Sequence, residues 1–473
     1  MIKKAALLSG GFHIKLRGRE LNPLSRAYEA PDLPSVSPAI TLNKTCHIYY
    51  YEIMKLAILG FGREGKALKA YLRKKYPKEK IAILDRKTDP DYLRRLGDFD
   101  IVFRSPGVPY NFPEIQKALK KGTEFSSATK VFFEEVRKNK KGSIIGITGT
   151  KGKGTTSSLL YDILKAAKKD AYLAGNIGTP ALSILPKLKK NSISVIELSS
   201  FQLQGLGLSP DISVVLNVFP DHLDAHRSVK EYLEAKSEIA KNQNKSDVIF
   251  YNKDNRNSFL IAQKSKGKKI PISEKEFKLF SPADLKIVGP HNFKNAVMAA
   301  EIGLYLGIKP EIVKATVKRY KGLPYRLELV KKIKADGKSI EIYNDSASTN
   351  PDTTAAAVKS FKEPIFLIAG GKDKNLDYAP LGATLKKSSV REAILFGENK
   401  AKIEKAVGGI EIVLAGNLEE ALAAAAKDAK NYLRFYPDEK AIVVFSPGAT
   451  SFDMFKDYAD RGKKFSKLAK SLD

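Results

Sequence analysis

The chain has 473 residues, 43% of them hydrophobic, which predicts a folded protein of roughly three domains; no apolar run is long enough to span a bilayer. Its 82 lysines and arginines against 52 aspartates and glutamates give a net charge of +30, which suits anionic partners, but no sustained basic tract predicts a nucleic-acid surface. One cysteine and five histidines exclude a disulfide framework and argue against a zinc site, which favours a reduced, cytoplasmic setting and a hard cation such as magnesium.

The first 53 residues differ from the rest of the chain. They contain prolines at positions 23, 31, 34 and 38, they show no clear periodicity, and they lack the order of a secretory signal. We expect either a disordered extension or a translation start at Met54, and we favour the second. In both cases we expect no chemistry from this segment.

From Met54 onward, strand-like runs alternate with helical patterns, which predicts an α/β fold with parallel sheets. The predicted strands are 55–59, 81–85, 101–103, 144–148, 194–198, 214–218, 340–343, 365–369, 393–396, 410–414 and 441–445. The predicted helices are 66–75, 156–168, 229–241, 292–306, 418–426 and 452–467. Turn-forming stretches at 139–142 and 321–324 predict domains over 54–141, 142–323 and 324–473.

A glycine-rich turn follows the first predicted strand. Gly60, Gly62 and Gly65 open a helix, and Asp85 lies twenty residues beyond Gly65 at the end of the next strand. This pattern is typical of dinucleotide binding, so a nicotinamide-dependent dehydrogenase is one possibility. The same turn can hold any diphosphate, including that of a nucleotide sugar. A second phosphate loop downstream favours a substrate diphosphate here and ATP there.

The second loop follows the apolar strand 144–148 and precedes a helical pattern. Its glycines allow backbone N–H groups to converge on phosphate oxygens, and Lys153 adds a full positive charge near a helix N-terminus. The spacing departs from the usual Walker A form, because Ile147 stands five residues before Gly152 and because Gly154 separates the lysine from its hydroxyl. We predict nucleotide-phosphate binding. The alternative is an ordinary glycine-rich turn.

Polar side chains follow the next two predicted strands. Glu197 ends an apolar strand at the position where P-loop enzymes hold a magnesium-coordinating acid, although a helix-capping glutamate is the alternative. His222 follows the strand 214–218, at an edge where α/β folds assemble ligand sites, although it could equally be a buried core histidine. Lys236, on the next helix, has the spacing of a surface lysine.

Three loops in the last third of the chain are rich in small polar residues. They span 344–350, 369–374 and 446–453, and each comes directly after a predicted strand. We therefore expect all three to cluster at one end of a sheet, where loops commonly bind ligands. The alternative is plain turn chemistry, which uses the same residue types.

Together these motifs resemble the Mur ligases, and within them the members that add D-glutamate. The resemblance extends from Met54 almost to the end of the chain, and its most specific segments are 175–178, 197–203, 291–296, 323–328, 451–455 and 461–462. It implies a Rossmann-like first domain that holds UDP, a P-loop-type ATPase domain, and a Rossmann-like third domain that holds the amino acid. It also implies the addition of D-glutamate to UDP-N-acetylmuramoyl-L-alanine through an acyl phosphate, in peptidoglycan synthesis.

The resemblance also implies a role for individual residues. The implied catalytic residues are Lys153, Glu197, His222 and Lys236. The implied ATP-binding residues are Gly149, Thr150, Lys151, Gly152, Lys153, Gly154, Thr155, Thr156, Asn292, Asn295, Arg326 and Asp345. Two magnesium ions are expected on Thr155, Glu197, His222 and Lys236, the last as a carbamylated lysine. The residues expected to bind the UDP substrate are Gly60, Gly62, Gly65, Asp85, Arg86, Ser105, Asn176 and Ser199, and those for the amino acid are Thr349, Lys374, Ser451 and Tyr458.

The sequence departs from the family pattern at four positions. Lys151 replaces an asparagine and Gly154 replaces a hydroxyl residue, so the loop resembles that of folylpolyglutamate synthases. Tyr325 replaces a histidine and Ala347 replaces a lysine, for which Lys372 is a candidate substitute. A related ligase with another amino acid or isomer, and a nucleotide-sugar-binding homologue with impaired catalysis, therefore stay open. In each case we expect a cytoplasmic monomer that binds small molecules.

Overall fold

The computed structural model describes residues 54–472 except 177, 222–225 and 336. The predicted N-terminal extension and His222 therefore lie outside the described residues. Two compact units are present: one contains the described residues through Lys141 together with Leu185–Lys190, and the other contains Gly142–Ile184 and the residues from Asn191 onward. Both are mixed α/β with parallel sheets, which confirms the predicted fold class. None of the helices in the described part of the chain has the length and apolarity that crossing a bilayer requires.

The first unit contains a parallel four-stranded sheet in the order β2-β1-β3-β4. Its elements are β1 (Leu56–Leu59), α1 (Arg63–Lys75), β2 (Ile81–Leu84), β3 (Ile101–Arg104), α2 (Pro113–Lys120), β4 (Glu124–Ser126) and α3 (Ala128–Lys138). Every residue of β1 and β3 is buried, as expected for central strands of a parallel sheet covered on both faces. The glycine-rich turn at 60–65 therefore starts from a fixed strand end.

The second unit contains two six-stranded sheets, the first of which is wholly parallel in the order β10-β9-β8-β5-β7-β6. Its strands are β5 (Ser143–Thr148), β6 (Ala171–Gly175), β7 (Ile193–Glu197), β8 (Ile212–Val215), β9 (Val248–Asn252) and β10 (Lys268–Ile272). Its helices are α4 (Lys153–Ala166), α5 (Ala181–Ile184), α6 (Ser200–Leu203), α7 (Val229–Lys241), α8 (Arg256–Ala262), α9 (Pro290–Tyr305) and α10 (Pro310–Arg319). Apolar side chains of α4, α9 and α10 join those of β5 in one buried cluster, which fixes the start of α4 beside α9.

The other sheet has the order β11-β12-β16-β13-β14-β15, with β11 antiparallel at one edge. Its strands are β11 (Glu328–Ala335), β12 (Lys338–Asn344), β13 (Ile365–Ala369), β14 (Val390–Leu395), β15 (Glu411–Leu414) and β16 (Lys440–Phe445). Its helices are α11 (Pro351–Val358), α12 (Ala379–Leu385), α13 (Lys400–Val407), α14 (Leu418–Phe435) and α15 (Tyr458–Ser471). Separate apolar clusters cover its two faces.

Several predicted boundaries differ from those in the structure by three residues or more. The strand predicted at 214–218 ends at Val215, because Val218 donates its N–H to the Asn255 side chain (3.1 Å) instead of to a sheet neighbour. The helix predicted from 452 starts at Tyr458, because the side chain of Asp457 caps the N–H groups of Ala459 and Asp460, both at 2.9 Å. The helix predicted at 418–426 continues to Phe435.

Candidate active site

The loop between β5 and α4 is built so closely against its surroundings that two of its residues must be glycines. Gly149 and Gly152 have φ values of 155° and 89°, in the region that favours glycine. A Cβ at Gly152 would lie 2.2 Å from Oδ1 of Asn295 on α9, and one at Gly149 would lie 2.7 Å from the Leu216 Cβ. The backbone of the loop therefore packs closely against its neighbours, which is typical of phosphate-binding loops.

Two lysine side chains converge on one carbonyl of this loop. Lys153 Nζ and Lys236 Nζ both donate to the Gly149 carbonyl, at 3.0 and 2.9 Å. Lys236 is only 2% exposed, and burial followed by the charge of Lys153 lowers its pKa well below the usual lysine value. Burial also lowers the pKa of Lys153, while Glu197 acts in the opposite direction. Lys236, whose spacing suggested an exposed surface position, is therefore a buried lysine with a lowered pKa.

Glu197 ends β7 and is 5% exposed, at the same sheet edge as the two lysines. Asn176, which follows the neighbouring strand β6, donates its Nδ2 to Glu197 Oε1 at 2.7 Å. The helix-capping role that the sequence left open for Glu197 belongs instead to Ser199. Ser199 Oγ accepts the N–H of Gln202 at 3.2 Å, and Gln202 Oε1 accepts the N–H of Ser199 at 2.9 Å, which forms a capping box. The carboxylate of Glu197 is therefore not used by the helix.

The donor atoms at this edge fit a magnesium ion. Glu197 provides a carboxylate, Thr155 lies in the first turn of α4, and the buried Oγ1 of Thr156 has no hydrogen-bond partner. Carboxylate and hydroxyl oxygens are the hard ligands that magnesium prefers. Among the described residues, which do not include His222, no group of three or more His, Cys, Asp or Glu side chains is arranged to hold a metal. A magnesium site here would therefore use mixed ligands.

A largely buried group of aromatic side chains, Tyr232, His226 and Phe201, contacts the loop through Thr150. The sequence did not predict this group. Thr150 Oγ1 lies 2.8 Å from the Tyr232 hydroxyl and accepts the N–H of Phe219 at 2.9 Å. His226, only 1% exposed, lies with Nε2 3.0 Å from Ser200 Oγ and stacks on Phe201. At the loop surface, Lys151 pairs with Asp221 at 3.4 Å. The only sequence signal for His226 was its proximity to His222.

The remaining predicted ATP residues belong to α9 and to the segment that leads into the last sheet. Asn295 Nδ2 donates to Asn292 Oδ1 at 3.3 Å, and Asn292 donates to a backbone carbonyl at 2.7 Å. Burial is the main cause of the lowered pKa of Lys153, and the charge of Arg326 adds to it. Asp345 is buried, and burial raises its pKa to about 6 although two serine hydroxyls and a backbone N–H hydrogen-bond to its carboxylate.

The three polar loops of the last sheet cluster as predicted. They follow the adjacent strands β12, β16 and β13, and backbone hydrogen bonds join them directly. Gly370 N donates to Pro447 O at 2.8 Å, and Lys372 N donates to Thr450 O at 2.8 Å. The predicted amino-acid-binding residues Thr349, Lys374 and Ser451 lie on these loops, and Tyr458 begins α15 nearby.

Arg461, which the site prediction left out, is fully buried beneath two of these loops. It donates to the Ser346 Oγ and carbonyl, at 3.1 and 3.0 Å, and to the Ala449 carbonyl at 3.0 Å. Its guanidinium also lies 5.8 Å from the centre of the Phe445 ring. The helical pattern of the sequence did not indicate that the side chain of Arg461 is buried.

Two of the four departures from the family pattern are neighbours in space. Ala347 donates its N–H to the Tyr325 carbonyl at 3.0 Å, and Tyr325 has a positive φ of 62°. The Tyr325 ring packs on Gly462, where a Cβ would lie 2.5 Å from a ring carbon. The ammonium of Lys372, the candidate substitute for the missing lysine, pairs with Glu398 at 2.5 Å.

The glycine-rich turn of the first unit has the close packing that a diphosphate-binding turn needs. A Cβ at Gly65 would lie 2.6 Å from the Gly60 carbonyl oxygen, to which Ser105 Oγ also donates at 2.6 Å. Asp85 accepts the N–H of Phe61 at 2.6 Å, and its hydrogen bonds to backbone N–H groups lower its pKa. Arg86 is exposed beside it. The other two residues predicted for this substrate, at positions 176 and 199, belong to the second unit.

Comparisons with known proteins identify similar chains over most of the sequence. Residues 147–303 match the Mur ligase middle domain, and residues 325–449 match the Mur ligase glutamate ligase domain. The UDP-N-acetylmuramoylalanine--D-glutamate ligase of Aquifex aeolicus (strain VF5) is 36% identical over 434 residues, 88% of this chain and 98% of that protein. The enzyme of the same name from Acetivibrio thermocellus is 34% identical over 413 residues, 81% of this chain and 85% of that protein.

Solved structures share the fold at low sequence identity. UDP-N-acetylmuramate-alanine ligase MurC from Thermotoga maritima has a TM-score of 0.53 at 18% identity and covers 88% of this chain and 99% of its own. MurF ligase from the same organism, in complex with ADP, has a TM-score of 0.53 at 18% identity and covers 89% of this chain and 97% of its own. These two likenesses establish the fold alone.

Proposed function

Because the chain belongs to the Mur ligase family, we propose that it joins D-glutamate to UDP-N-acetylmuramoyl-L-alanine at the expense of ATP, in peptidoglycan precursor synthesis. The observation that carries the proposal is the loop at Gly149–Lys153, with Lys236 and Glu197 at the same sheet edge. An acid–amine ligase needs such a concentration of positive charge, because it must bring a carboxylate against a triphosphate.

We propose a division of labour among three domains. Residues 54–141 form a Rossmann-like domain for the UDP substrate, 142–323 a P-loop-type ATPase domain, and 324–473 a Rossmann-like domain for the amino acid. Three separate sheets and the ranges of the two matching family domains support this division. The protein would act as a cytoplasmic monomer on small-molecule substrates.

In the proposed reaction the substrate carboxylate attacks the γ-phosphorus of ATP, and ADP leaves. The amine of D-glutamate then attacks the resulting acyl phosphate, loses a proton, and expels inorganic phosphate as the amide forms. The loop glycines and Lys153 would hold the phosphates, with Asn292, Asn295, Arg326 and Asp345 on the rest of the nucleotide. Lys153 is already fixed by its bonds to the Gly149 and Thr150 carbonyls, so little reorganisation is needed when ATP binds.

The proposed metal ligands are Thr155, Glu197, His222 and a carbamylated Lys236, and bound magnesium would neutralise charge on the phosphates. Carbamylation requires an unprotonated amine: its nitrogen forms a bond to the carbon of CO₂ and releases one proton. The burial of Lys236 and its proximity to Lys153 favour that neutral amine. The product is a carboxylate, which can bind a cation where an ammonium cannot.

The remaining predicted residues would hold the two other substrates. In the first domain Gly60, Gly62 and Gly65 would receive the diphosphate, with Asp85, Arg86 and Ser105 on the uridine side. Asn176 and Ser199 would line the muramoyl part. Thr349, Lys374, Ser451 and Tyr458 would hold glutamate, whose carboxylates suit the ammonium of Lys374.

The test is ATP-dependent phosphate release with UDP-N-acetylmuramoyl-L-alanine and a panel of D-glutamate, L-glutamate, D-aspartate and other amino acids. We expect stimulation by D-glutamate, and a loss of at least about 100-fold in Lys153→Ala because a preorganised charge is removed. The matched control is Lys165→Ala, an exposed lysine of the same helix. Stimulation by a different amino acid would correct the substrate. No stimulation by any amino acid would remove the ligase assignment and favour an impaired nucleotide-sugar-binding protein.

The carbamate has its own test, which does not depend on turnover. Protein incubated with ¹³C-bicarbonate should give a carbamate carbon signal by NMR that disappears in Lys236→Met and persists in Lys165→Ala. Thermal unfolding of the variants establishes that both are folded. A wild-type spectrum without the signal would contradict the modification.

A further inference from the structure

Two buried polar side chains, Asn399 and Tyr378, link the loop at 369–374 to the loop at 446–453. Asn399 directly precedes α13 and is 1% exposed, and Tyr378 directly precedes α12 and is 2% exposed. Neither residue has a place in the proposed chemistry. Buried polar groups of this kind are usually retained for the hydrogen bonds that they make.

These bonds form a continuous chain between two loops. Asn399 Oδ1 accepts the N–H of Gly371 at 2.8 Å, and Asn399 returns its own N–H to the Gly371 carbonyl at 3.1 Å. Asn399 Nδ2 donates to the Tyr378 hydroxyl at 2.7 Å, and that hydroxyl donates to the Gly448 carbonyl at 3.2 Å. Gly448 in turn donates its N–H to the Ser348 carbonyl at 3.1 Å, which reaches the third loop. In each of these hydrogen bonds the donor and the acceptor are assigned.

The two side chains hold a glycine in each of two loops. Gly371 and Gly448 have φ values of 156° and 66°, so they occupy conformations that other residues rarely adopt. Glycine also gives the backbone more freedom than any other residue. The direct backbone bonds between these loops involve the neighbours at 370, 372, 447 and 450. The side chains of Asn399 and Tyr378 therefore add hydrogen bonds at Gly371 and Gly448, between the positions that the direct backbone bonds already join.

We propose that Asn399 and Tyr378 are positioning residues for the amino-acid substrate, because they set the separation between the loop that carries Lys374 and the loop that carries Ser451. The inference rests on the proposed function of these loops. A substrate held between two loops binds well only if both are already at the right distance, since displacements near 1 Å cost much of the binding and rate. The bridge supplies that distance before the amino acid arrives.

The test is Tyr378→Phe, which removes only the bridging hydroxyl and keeps the ring. The matched control is Tyr343→Phe, because Tyr343 belongs to the same apolar cluster and its buried hydroxyl donates to Glu341 (3.0 Å) away from the loops. We expect the KM for D-glutamate to rise about five- to tenfold in Tyr378→Phe, with kcat and the KM values for ATP and the nucleotide sugar within about twofold. In Tyr343→Phe all four constants should stay within about twofold.

A second variant, Asn399→Ala, and a second measurement, hydrogen–deuterium exchange, test the inference independently. Asn399→Ala should raise the KM for D-glutamate at least as much, and the double variant should add nothing further, because both substitutions break one bridge. Hydrogen–deuterium exchange of peptides covering 370–374 and 446–451 should increase in Tyr378→Phe and not in Tyr343→Phe. This readout needs no turnover. Equal KM values for wild type and Tyr378→Phe, or unchanged exchange in both loops, would overturn the inference.

Failure of the proposed function has a different signature. Wild-type protein without amino-acid-stimulated phosphate release removes the D-glutamate assignment, and the exchange experiment still decides whether the bridge restrains the loops. Wild-type protein with normal stimulation, combined with no KM change in either bridge variant, removes the positioning role alone.

Discussion

Replacement of Gly152 by alanine tests the close packing of the phosphate loop. The added Cβ would lie 2.2 Å from Asn295 Oδ1, where ordinary contact begins near 3.4 Å, so the Asn295 amide must move by about 1.2 Å. That movement breaks the 3.3 Å bond from Asn295 Nδ2 to Asn292, which contributes about 1 kcal/mol. Alanine in the left-handed region costs a further 1 kcal/mol or so. We therefore expect Gly152→Ala to lower the free energy of unfolding by about 2 kcal/mol.

A matched control separates the two contributions. Gly122 has a φ of 91°, almost equal to the 89° of Gly152, and a Cβ there would meet nothing within 4 Å. Gly122→Ala should therefore show only the backbone cost of about 1 kcal/mol. Urea denaturation measures both values, and titration calorimetry measures the dissociation constant for ATP. We expect that constant to rise at least about tenfold in Gly152→Ala and to stay unchanged in Gly122→Ala.

Two outcomes would refute this reasoning. If both variants lose the same stability, the loop has room for a methyl group and the contact with Asn295 does not constrain it. If Gly152→Ala binds ATP as wild type does, the positions of the loop N–H groups do not control nucleotide affinity.

Three further predictions concern the other sheets. Gly65→Ala should weaken binding of the nucleotide sugar by about tenfold in calorimetry, because its Cβ would lie 2.6 Å from the Gly60 carbonyl oxygen. The control Gly97→Ala, where a Cβ would meet nothing within 4 Å, should not weaken it. Burial and two nearby carboxylates raise the pKa of Glu392 from 4.5 to about 7, so wild type should lose stability as pH rises between these values. Glu392→Gln should therefore match wild type near pH 5 and be more stable by about 2 kcal/mol near pH 8.5 in urea denaturation, and equal curves at both pH values would contradict the shift. Arg461→Met should lower the free energy of unfolding by about 3 kcal/mol, since it leaves buried carbonyls without donors, and a loss below 1 kcal/mol would mean that water replaces the guanidinium.

The sequence predicted most central strands, although it missed the fully buried β9, and it missed four edge strands, β4, β6, β10 and β11. Strands β7, β13 and β16 consist of apolar runs buried on both faces, and such runs are visible in the sequence itself. The edge strands β10 and β11 escaped prediction because lysine-rich or half-exposed edges carry a weak apolar pattern. The helix predicted from 452 failed for a related reason: Phe452 and Met454 continue an apolar pattern but are 62% and 42% exposed.

For the site too, the features formed by contiguous residues could be predicted, whereas contacts between distant segments could not. A phosphate loop is a contiguous segment, so glycines, a lysine and hydroxyl residues at fixed spacing predict it without any knowledge of neighbours. The clustering of three loops also follows from the sequence, because the carboxyl ends of parallel strands share one edge. The roles of Ala347 and Tyr325 could not be related from sequence, since their contact joins segments that are 22 positions apart.

By itself, then, the sequence determined the parallel α/β class, the two glycine loops and the strand ends at which polar residues gather. Only the tertiary structure decided which lysine is buried. Lys236 and Lys165 both lie on helices, and the packing around Lys236 removes solvent and so lowers the pKa of its amine. The bridge through Asn399 and Tyr378 is likewise invisible in the chain, because hydrogen bonds between distant segments depend on the three-dimensional path and leave no local pattern.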